Sequence, residues 1–141
     1  MADVNDFIVG MRHVGLVTED LDAMVARLQA IFGLADDAVL EIDGGDTRFA
    51  FFSIGGTPYE VIEPVSEHFK AVLLNTNIGT NHVCYNVTDL DAAVAAMAEK
   101  GVNLGHVTPA GIVDTPAFRM AYFDPADTAG ILLEFVEPKG H

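Results

Sequence analysis

The chain has 141 residues, of which 50% are hydrophobic, and a formal net charge of −14. This size suits one compact domain, and the acidity excludes nucleic-acid binding, which depends on Lys and Arg neutralising phosphates. The same acidity disfavours an anionic membrane surface, and no apolar run approaches the roughly 20 residues of a membrane span. One cysteine and an acidic start predict a cytoplasmic protein without a disulfide framework.

The first half of the chain alternates one helix with several strands. An apolar stripe at helical spacing predicts a helix that Thr18 or Asp20 caps and that ends at Gly33. Gly55-Gly56 between two apolar runs indicates a hairpin. The predicted strands of this half are residues 11–17, 39–42, 48–54 and 58–62.

The second half repeats this order after a connecting helix, which is predicted over residues 66–74 with Ser66 as its cap. Thr88 to Asp91 has the spacing of a capping box, and the helix that follows ends at Gly101. The predicted strands here are residues 82–87, 104–108, 117–123 and 131–136. Each half therefore reads β-α-β-β-β. We predict a single domain with one module at about 9–64, a linker at about 65–80 and a second module at about 81–138.

The two halves also repeat each other in sequence. His13-Val14 returns sixty-nine positions later as His82-Val83, followed in both copies by Asp-Leu-Asp-Ala. The segment that begins with Glu60 returns seventy-four positions later, beginning with Glu134. Each copy thus opens with a histidine and ends with a glutamate. A chain built twice from one unit tends to fold as two stacked units, so the four side chains can converge.

These four residues predict a divalent-metal site. Alternation along a strand leaves Glu60 and Glu134 on a front face while apolar neighbours cover the back. An ionised glutamate within an apolar strand is costly unless a cation compensates it. A lone strand histidine is more often a core or surface residue, but His13 and His82 at matched places favour ligands. Imidazole and carboxylate ligands together suit Co, Ni, Zn, Mn or Fe. Coordination positions that the four side chains leave open on the metal would suit a catalytic site.

The motifs, taken in order, resemble the vicinal oxygen chelate superfamily over about residues 10–138. Within it, the phrases Glu-Val-Ile-Glu-Pro, Val-Thr-Asp-Leu-Asp-Ala-Ala and Phe-Asp-Pro are most similar to methylmalonyl-CoA epimerases and next to glyoxalase I. The motifs that carry the resemblance are His13-Val14-Gly15-Leu16, Tyr59-Glu60-Val61-Ile62-Glu63-Pro64, Asn81-His82-Val83-Cys84-Tyr85 and Gly130-Ile131-Leu132-Leu133-Glu134.

The resemblance implies an α+β fold of two paired βαβββ modules, which form a U-shaped mixed sheet around one divalent metal, often in a homodimer. It places the metal ligands on His13, Glu60, His82 and Glu134. Three departures stand out. Epimerases usually have Gln where this chain has Glu60, several have a glutamate base where it has Phe49, and the family's Lys after His-Pro is replaced by Ala126 after Asp124-Pro125.

The resemblance implies proton transfer beside a metal-held carbonyl, with Glu60 and Glu134 as the catalytic groups. The leading prediction is epimerisation of a 2-methyl-branched acyl-CoA thioester, and the nearest alternative is a glyoxalase I-like lyase that acts on a glutathione hemithioacetal. A ring-cleaving dioxygenase normally uses two His and one Glu, so a fourth ligand counts against it. A non-catalytic protein that binds a small apolar ligand remains an alternative of a different class.

Further residues are predicted to contact the substrate. Arg48 and Arg119, on predicted strands near the cavity, are the expected contacts for its anionic groups. Two other residues are weaker candidates for the cavity: His106, near an ambiguous strand, and Cys84, which shares a face with His82. The side chains predicted to line the pocket are Phe49, Phe51, Met120 and Tyr122.

Overall fold

The computed structural model describes residues 2–140 and shows a mixed α+β protein. No helix in this range combines the length and the apolar character that a membrane crossing requires. The helices are α1 (Val4–Phe7), α2 (Leu21–Phe32), α3 (Glu67–Leu73) and α4 (Leu90–Glu99). The strands are β1 (Ile8–Val17), β2 (Leu40–Asp43), β3 (Thr47–Ile54), β4 (Thr57–Pro64), β5 (Gly79–Val87), β6 (Val113–Asp114), β7 (Phe118–Tyr122) and β8 (Leu133–Pro138).

The contacts divide the chain into two units. The first unit is residues 13–81, and the second unit is residues 82–140 together with 2–12. In the first unit the strand order is β2-β3-β4-β1, with β1 parallel to β4. In the second unit it is β5-β8-β7-β6, with β5 parallel to β8. The predicted β-α-β-β-β order is confirmed in both.

The start of the chain packs within the second unit. Helix α1 contacts α4, and the amide of Thr88 donates to the carbonyl of Phe7 at 2.9 Å. The guanidinium of Arg12 donates to the side chain of Asn86 at 3.0 Å. Residues 9–12, which the sequence places in the first module, are therefore grouped with the second unit.

Equivalent aspartates begin the helices of the two units. The Asp20 carboxylate accepts from the amide of Ala23, and the Asp89 carboxylate accepts from the amide of Ala92, both at 3.0 Å. Asp20 is confirmed as a cap, whereas the capping box predicted from Thr88 is wrong. The cap is one residue later, because Asp89 takes the extended conformation that a cap requires.

A glutamate of the last strand in each unit completes the helix start. The amide of Leu21 donates to Glu63 at 2.8 Å, and the amide of Leu90 donates to Glu137 at 2.7 Å. Each helix thereby sits over its own strands and covers a separate core. The buried members are Leu21, Val25, Ala50, Phe52 and Val61 in the first unit and Val87, Leu90, Ala93, Met97, Ala121, Phe123 and Phe135 in the second.

The strand predicted over residues 104–108 is wrong. Leu104 makes only an isolated bridge to Phe123, and His106 has a φ of 56°, in the left-handed region. A strand cannot continue through that conformation. The additional strand of the second unit is β6, which pairs with β7.

Candidate functional site

The first unit holds His13 beside Glu60. Strand β1 runs parallel to β4 with Gly15 opposite Glu60, and His13 precedes Gly15 by two positions on the same face. The distance between His13 Nε2 and Glu60 Oε1 is 3.5 Å. Both side chains are largely buried, at 9% and 16% exposure. The order of strands thus brings together two residues that are 47 positions apart.

The second unit holds an equivalent pair, His82 and Glu134. Strand β5 runs parallel to β8 with Cys84 opposite Glu134, and His82 precedes Cys84 by two positions. The distance between His82 Nε2 and Glu134 Oε1 is 3.3 Å, and these side chains are 1% and 8% exposed. The sequence repeat is therefore also a repeat of local geometry. Cys84 is fully buried on this face.

The donor atoms of each His–Glu pair fit a transition-metal ion. Two ligand atoms at ~2.1 Å from one ion, at right angles or the tetrahedral angle, lie about 3.0–3.4 Å apart. The separation of 3.3 Å lies within this range and that of 3.5 Å is about 0.1 Å above it, and both are long for hydrogen bonds. Imidazole nitrogen with carboxylate oxygen is the donor set of Zn, Fe, Co, Ni and Mn sites.

Aromatic side chains flank the pair of the first unit. Phe51 on β3 lies directly opposite Glu60 on β4, so the two share a face. The Phe49 ring is stacked with the Phe51 ring at 6.1 Å. Both predicted lining residues of this unit therefore lie on the face that carries Glu60.

Tyr122 and Met120 occupy the same positions in the second unit. Tyr122 on β7 lies opposite Glu134 on β8, and Met120 precedes it by two positions on the same face. The Tyr122 hydroxyl is 3.4 Å from His82 Nε2, and the two rings meet edge to face. These residues lie where the prediction requires, although their contact with substrate stays a prediction.

The two predicted arginines lie on the other face of the strands, at the helix starts. Arg48 donates to Asp22 at 2.9 Å and lies 3.4 Å from Glu63, and Arg119 donates twice to Asp91 at 2.8 and 3.0 Å. These hydrogen bonds raise the pKa of both guanidinium groups. The placement gives the arginines a structural role and argues against the predicted contact with an anionic substrate. Strand alternation already separates Arg48 from Phe49 in the sequence.

His106, only a weak candidate in the sequence, lies on the face of the second pair. Its ring meets the Tyr122 ring edge to face, with centroids 4.8 Å apart. Burial, with a smaller electrostatic contribution from the nearby His82, lowers the pKa of His106 to about 4, and Glu134 opposes the shift. The ring is therefore neutral at pH 7. Gly105 before it was the available signal that a strand breaks here.

Arg12 is a residue of this face that the sequence analysis did not select. Its guanidinium lies 5.7 Å from the centroid of the Phe118 ring and donates to Asn86. Asn86 follows His82 by four positions on β5, and Phe118 precedes Tyr122 by four on β7, so both share the face of the second pair.

A family model described as the glyoxalase/bleomycin resistance protein/dioxygenase superfamily matches residues 12–123. The chain belongs to this superfamily. The vicinal oxygen chelate resemblance of the sequence is thereby confirmed.

Among individual proteins, the chain is similar to methylmalonyl-CoA epimerases. The human mitochondrial enzyme is 24% identical over 88% of this chain and 71% of its own length. The ethylmalonyl-CoA/methylmalonyl-CoA epimerase of Cereibacter sphaeroides is 27% identical over 88% of this chain and 94% of its own length. The crystal structure of the Mycobacterium tuberculosis methylmalonyl-CoA epimerase aligns with a TM-score of 0.73 and 25% identity, over 95% of this chain and 91% of that one.

Proposed function

We propose that the protein epimerises a 2-methyl-branched acyl-CoA thioester with one divalent metal ion. The observation that carries the proposal is the His–Glu pair that recurs once in each unit, with donor atoms 3.5 and 3.3 Å apart. The named epimerases that match most of this chain support the substrate class.

In this proposal His13, Glu60, His82 and Glu134 hold the ion. When bound, such an ion supplies a positive charge that polarises the substrate carbonyl. The four side chains bring two negative charges and two neutral imidazoles, which balances a divalent cation. Burial of both pairs keeps competing water scarce and strengthens the electrostatic interactions there.

Proton transfer falls to the two carboxylates. Epimerisation removes a proton from one face of the carbon beside the thioester and returns one to the other face. Glu60 and Glu134 are the acidic side chains of the two pairs, and a carboxylate within reach of the proton can act as base and then as acid. Because Phe49 and Phe51 flank Glu60, the first unit offers an apolar wall to the methyl branch.

We assign the anionic end of the substrate to Arg12. An acyl-CoA is strongly anionic, and the chain itself has a net charge of −14, so a cation on the site face is needed. Arg48 and Arg119 are occupied by carboxylates. Arg12 instead contacts an amide oxygen and an aromatic ring, which leaves its charge available for a carboxylate or phosphate.

The test is exchange of the proton at carbon 2 of methylmalonyl-CoA in deuterated water, followed by NMR, on protein with its metal content measured. We expect one divalent ion per chain and rapid exchange. Glu134→Gln should retain most of the metal and lose at least ~100-fold in exchange rate, since an amide cannot accept the proton.

Glu19→Gln is the matched control, because Glu19 is exposed and outside both pairs. It should exchange at the wild-type rate. Protein that holds no divalent ion after incubation with cobalt, nickel, zinc, manganese or iron contradicts the proposal and favours a binding protein. Unchanged exchange in Glu134→Gln removes that residue from the mechanism.

The second candidate is a glyoxalase I-like lyase. The observation that favours it is Phe49, because an apolar ring stands where several epimerases carry a glutamate base, and Glu60 stands where glyoxalase I usually has Glu. The same purified protein should be assayed with the hemithioacetal of glutathione and methylglyoxal. Turnover of the hemithioacetal without exchange on acyl-CoA thioesters would select the lyase.

A further inference from the structure

The segment between α4 and β6, which contains His106, is held to Tyr122 by backbone and side-chain hydrogen bonds. The amide of Gly105 donates to the Tyr122 carbonyl at 3.0 Å. The buried Thr108 hydroxyl donates to the same carbonyl at 2.9 Å and accepts from the Tyr122 amide at 2.8 Å. Gly105 also packs so closely that a Cβ there would lie 2.8 Å from the Cα of Asp124. The segment that carries His106 is therefore held rigidly against β7.

These contacts fix His106 in the second unit's site. Its ring lies edge to face on Tyr122, and Tyr122 lies edge to face on His82. Because Tyr122 pairs with Glu134 across the strands, His106 lies over the same face as that carboxylate. The residue is half-buried.

The backbone of His106 is held in an unfavourable conformation. Within residues 2–140, only His106 and Ala129 have a positive φ without being glycine, both at 56°. Such a conformation costs of order 1–3 kcal/mol and collects at functional sites, where the surrounding structure imposes it. His tolerates the left-handed region better than most residues. A test therefore needs variants that distinguish the effect of the backbone conformation from the effect of the imidazole ring.

We propose that His106 is a catalytic residue that donates its ring N–H to the thioester oxygen of the substrate. The inference rests on the proposed function. As a carboxylate takes the proton from carbon 2, the C–H electron pair moves into the bond to the carbonyl carbon, and negative charge builds on the oxygen. A fixed donor aimed at that oxygen stabilises the charge. Return of a proton to carbon 2 restores the thioester without net oxidation or reduction.

A neutral imidazole is well suited to donate a hydrogen bond to the thioester oxygen. It carries one donor and one acceptor, and a ring that stays neutral does not protonate the substrate oxygen outright. Loss of one such donor typically costs about 10²–10³-fold in kcat.

The first experiment compares His106→Gly with Ala129→Gly. Both changes relieve the same backbone conformation, and Ala129 is exposed and outside the site. We expect Ala129→Gly to melt at or above the wild-type temperature, and His106→Gly to stay folded because the relieved backbone offsets part of the lost contact with Tyr122. His106→Gly should exchange the carbon-2 proton about 100-fold more slowly in kcat with a smaller change in KM, whereas Ala129→Gly should match the wild type. His106→Gln, which restores an N–H donor, should recover at least about tenfold over His106→Gly.

The second experiment follows the ring directly by NMR of ¹⁵N-histidine-labelled protein. Propionyl-CoA, which has the thioester, should shift the His106 ring nitrogens, and coenzyme A without an acyl group should not. Equal shifts with both compounds would overturn the inference, as would exchange in His106→Gly within threefold of wild type. Wild-type protein that exchanges no thioester proton would instead overturn the proposed function, and the inference with it.

Discussion

Removing the Glu137 side chain tests the hydrogen bond that joins the start of α4 to strand β8. Glu137 on β8 accepts from the amide of Leu90, the first residue of α4, at 2.7 Å, and Leu90 is fully buried. In Glu137→Ala that amide loses its acceptor where water has little access. An unsatisfied buried donor costs about 1–3 kcal/mol, and the lost negative charge at a helix start adds about 0.3–1 kcal/mol. We therefore expect the free energy of unfolding to fall by about 2–3 kcal/mol.

Urea denaturation followed by circular dichroism measures this change directly. At this chain length, about 3–5 °C of melting temperature is lost per kcal/mol, so the melting temperature should fall by roughly 6–15 °C. Glu137→Gln keeps a neutral acceptor and should lose only about 1 kcal/mol. Glu19→Ala, at an exposed position, should stay within about 0.5 kcal/mol of wild type.

The result that would refute the reasoning is a Glu137→Ala protein within about 0.5 kcal/mol of wild type at an unchanged m-value. If Glu137→Gln instead fell as far as Glu137→Ala, the charge rather than the hydrogen bond would hold the helix. The equivalent change in the first unit, Glu63→Ala, should show a similar loss, because Glu63 accepts from Leu21 at 2.8 Å.

Three further predictions concern the core, the segment that holds His106, and the titration of His106. Leu90→Ala should cost about 2–5 kcal/mol in urea denaturation, since Leu90 is fully buried. Gly105→Ala should cost about 1–3 kcal/mol because its Cβ would clash with backbone of Asp124, whereas Gly10→Ala, with nothing within 4 Å, should be neutral. In metal-free protein, stability should fall by about 1–2 kcal/mol as the pH drops from 6.5 to about 4, because unfolded His106 binds the proton more tightly than the half-buried native ring. A stability curve that is equally steep in His106→Asn would contradict the last expectation.

The sequence by itself determined the repeated elements and the four residues that form the two His–Glu pairs. Helix ends depend on neighbouring residues, such as Asp20 before α2 and Gly33 after it, so local chemistry predicts them. Alternation along a strand depends on the backbone alone, so the common face of His13 and Gly15 was predictable. The matched spacing of the copies then indicated that each copy contributes one histidine and one glutamate.

Only the tertiary structure decided the surroundings of these pairs. Arg48 and Arg119 turn to the helix starts because carboxylates from another element lie there, which no local pattern encodes. The left-handed turn at His106 follows from hydrogen bonds to Tyr122, a residue sixteen positions away that approaches only after β7 is in place. Contacts between distant segments overrode the apolar pattern that favoured a strand over residues 104–108, because their energy exceeds that of a local backbone preference.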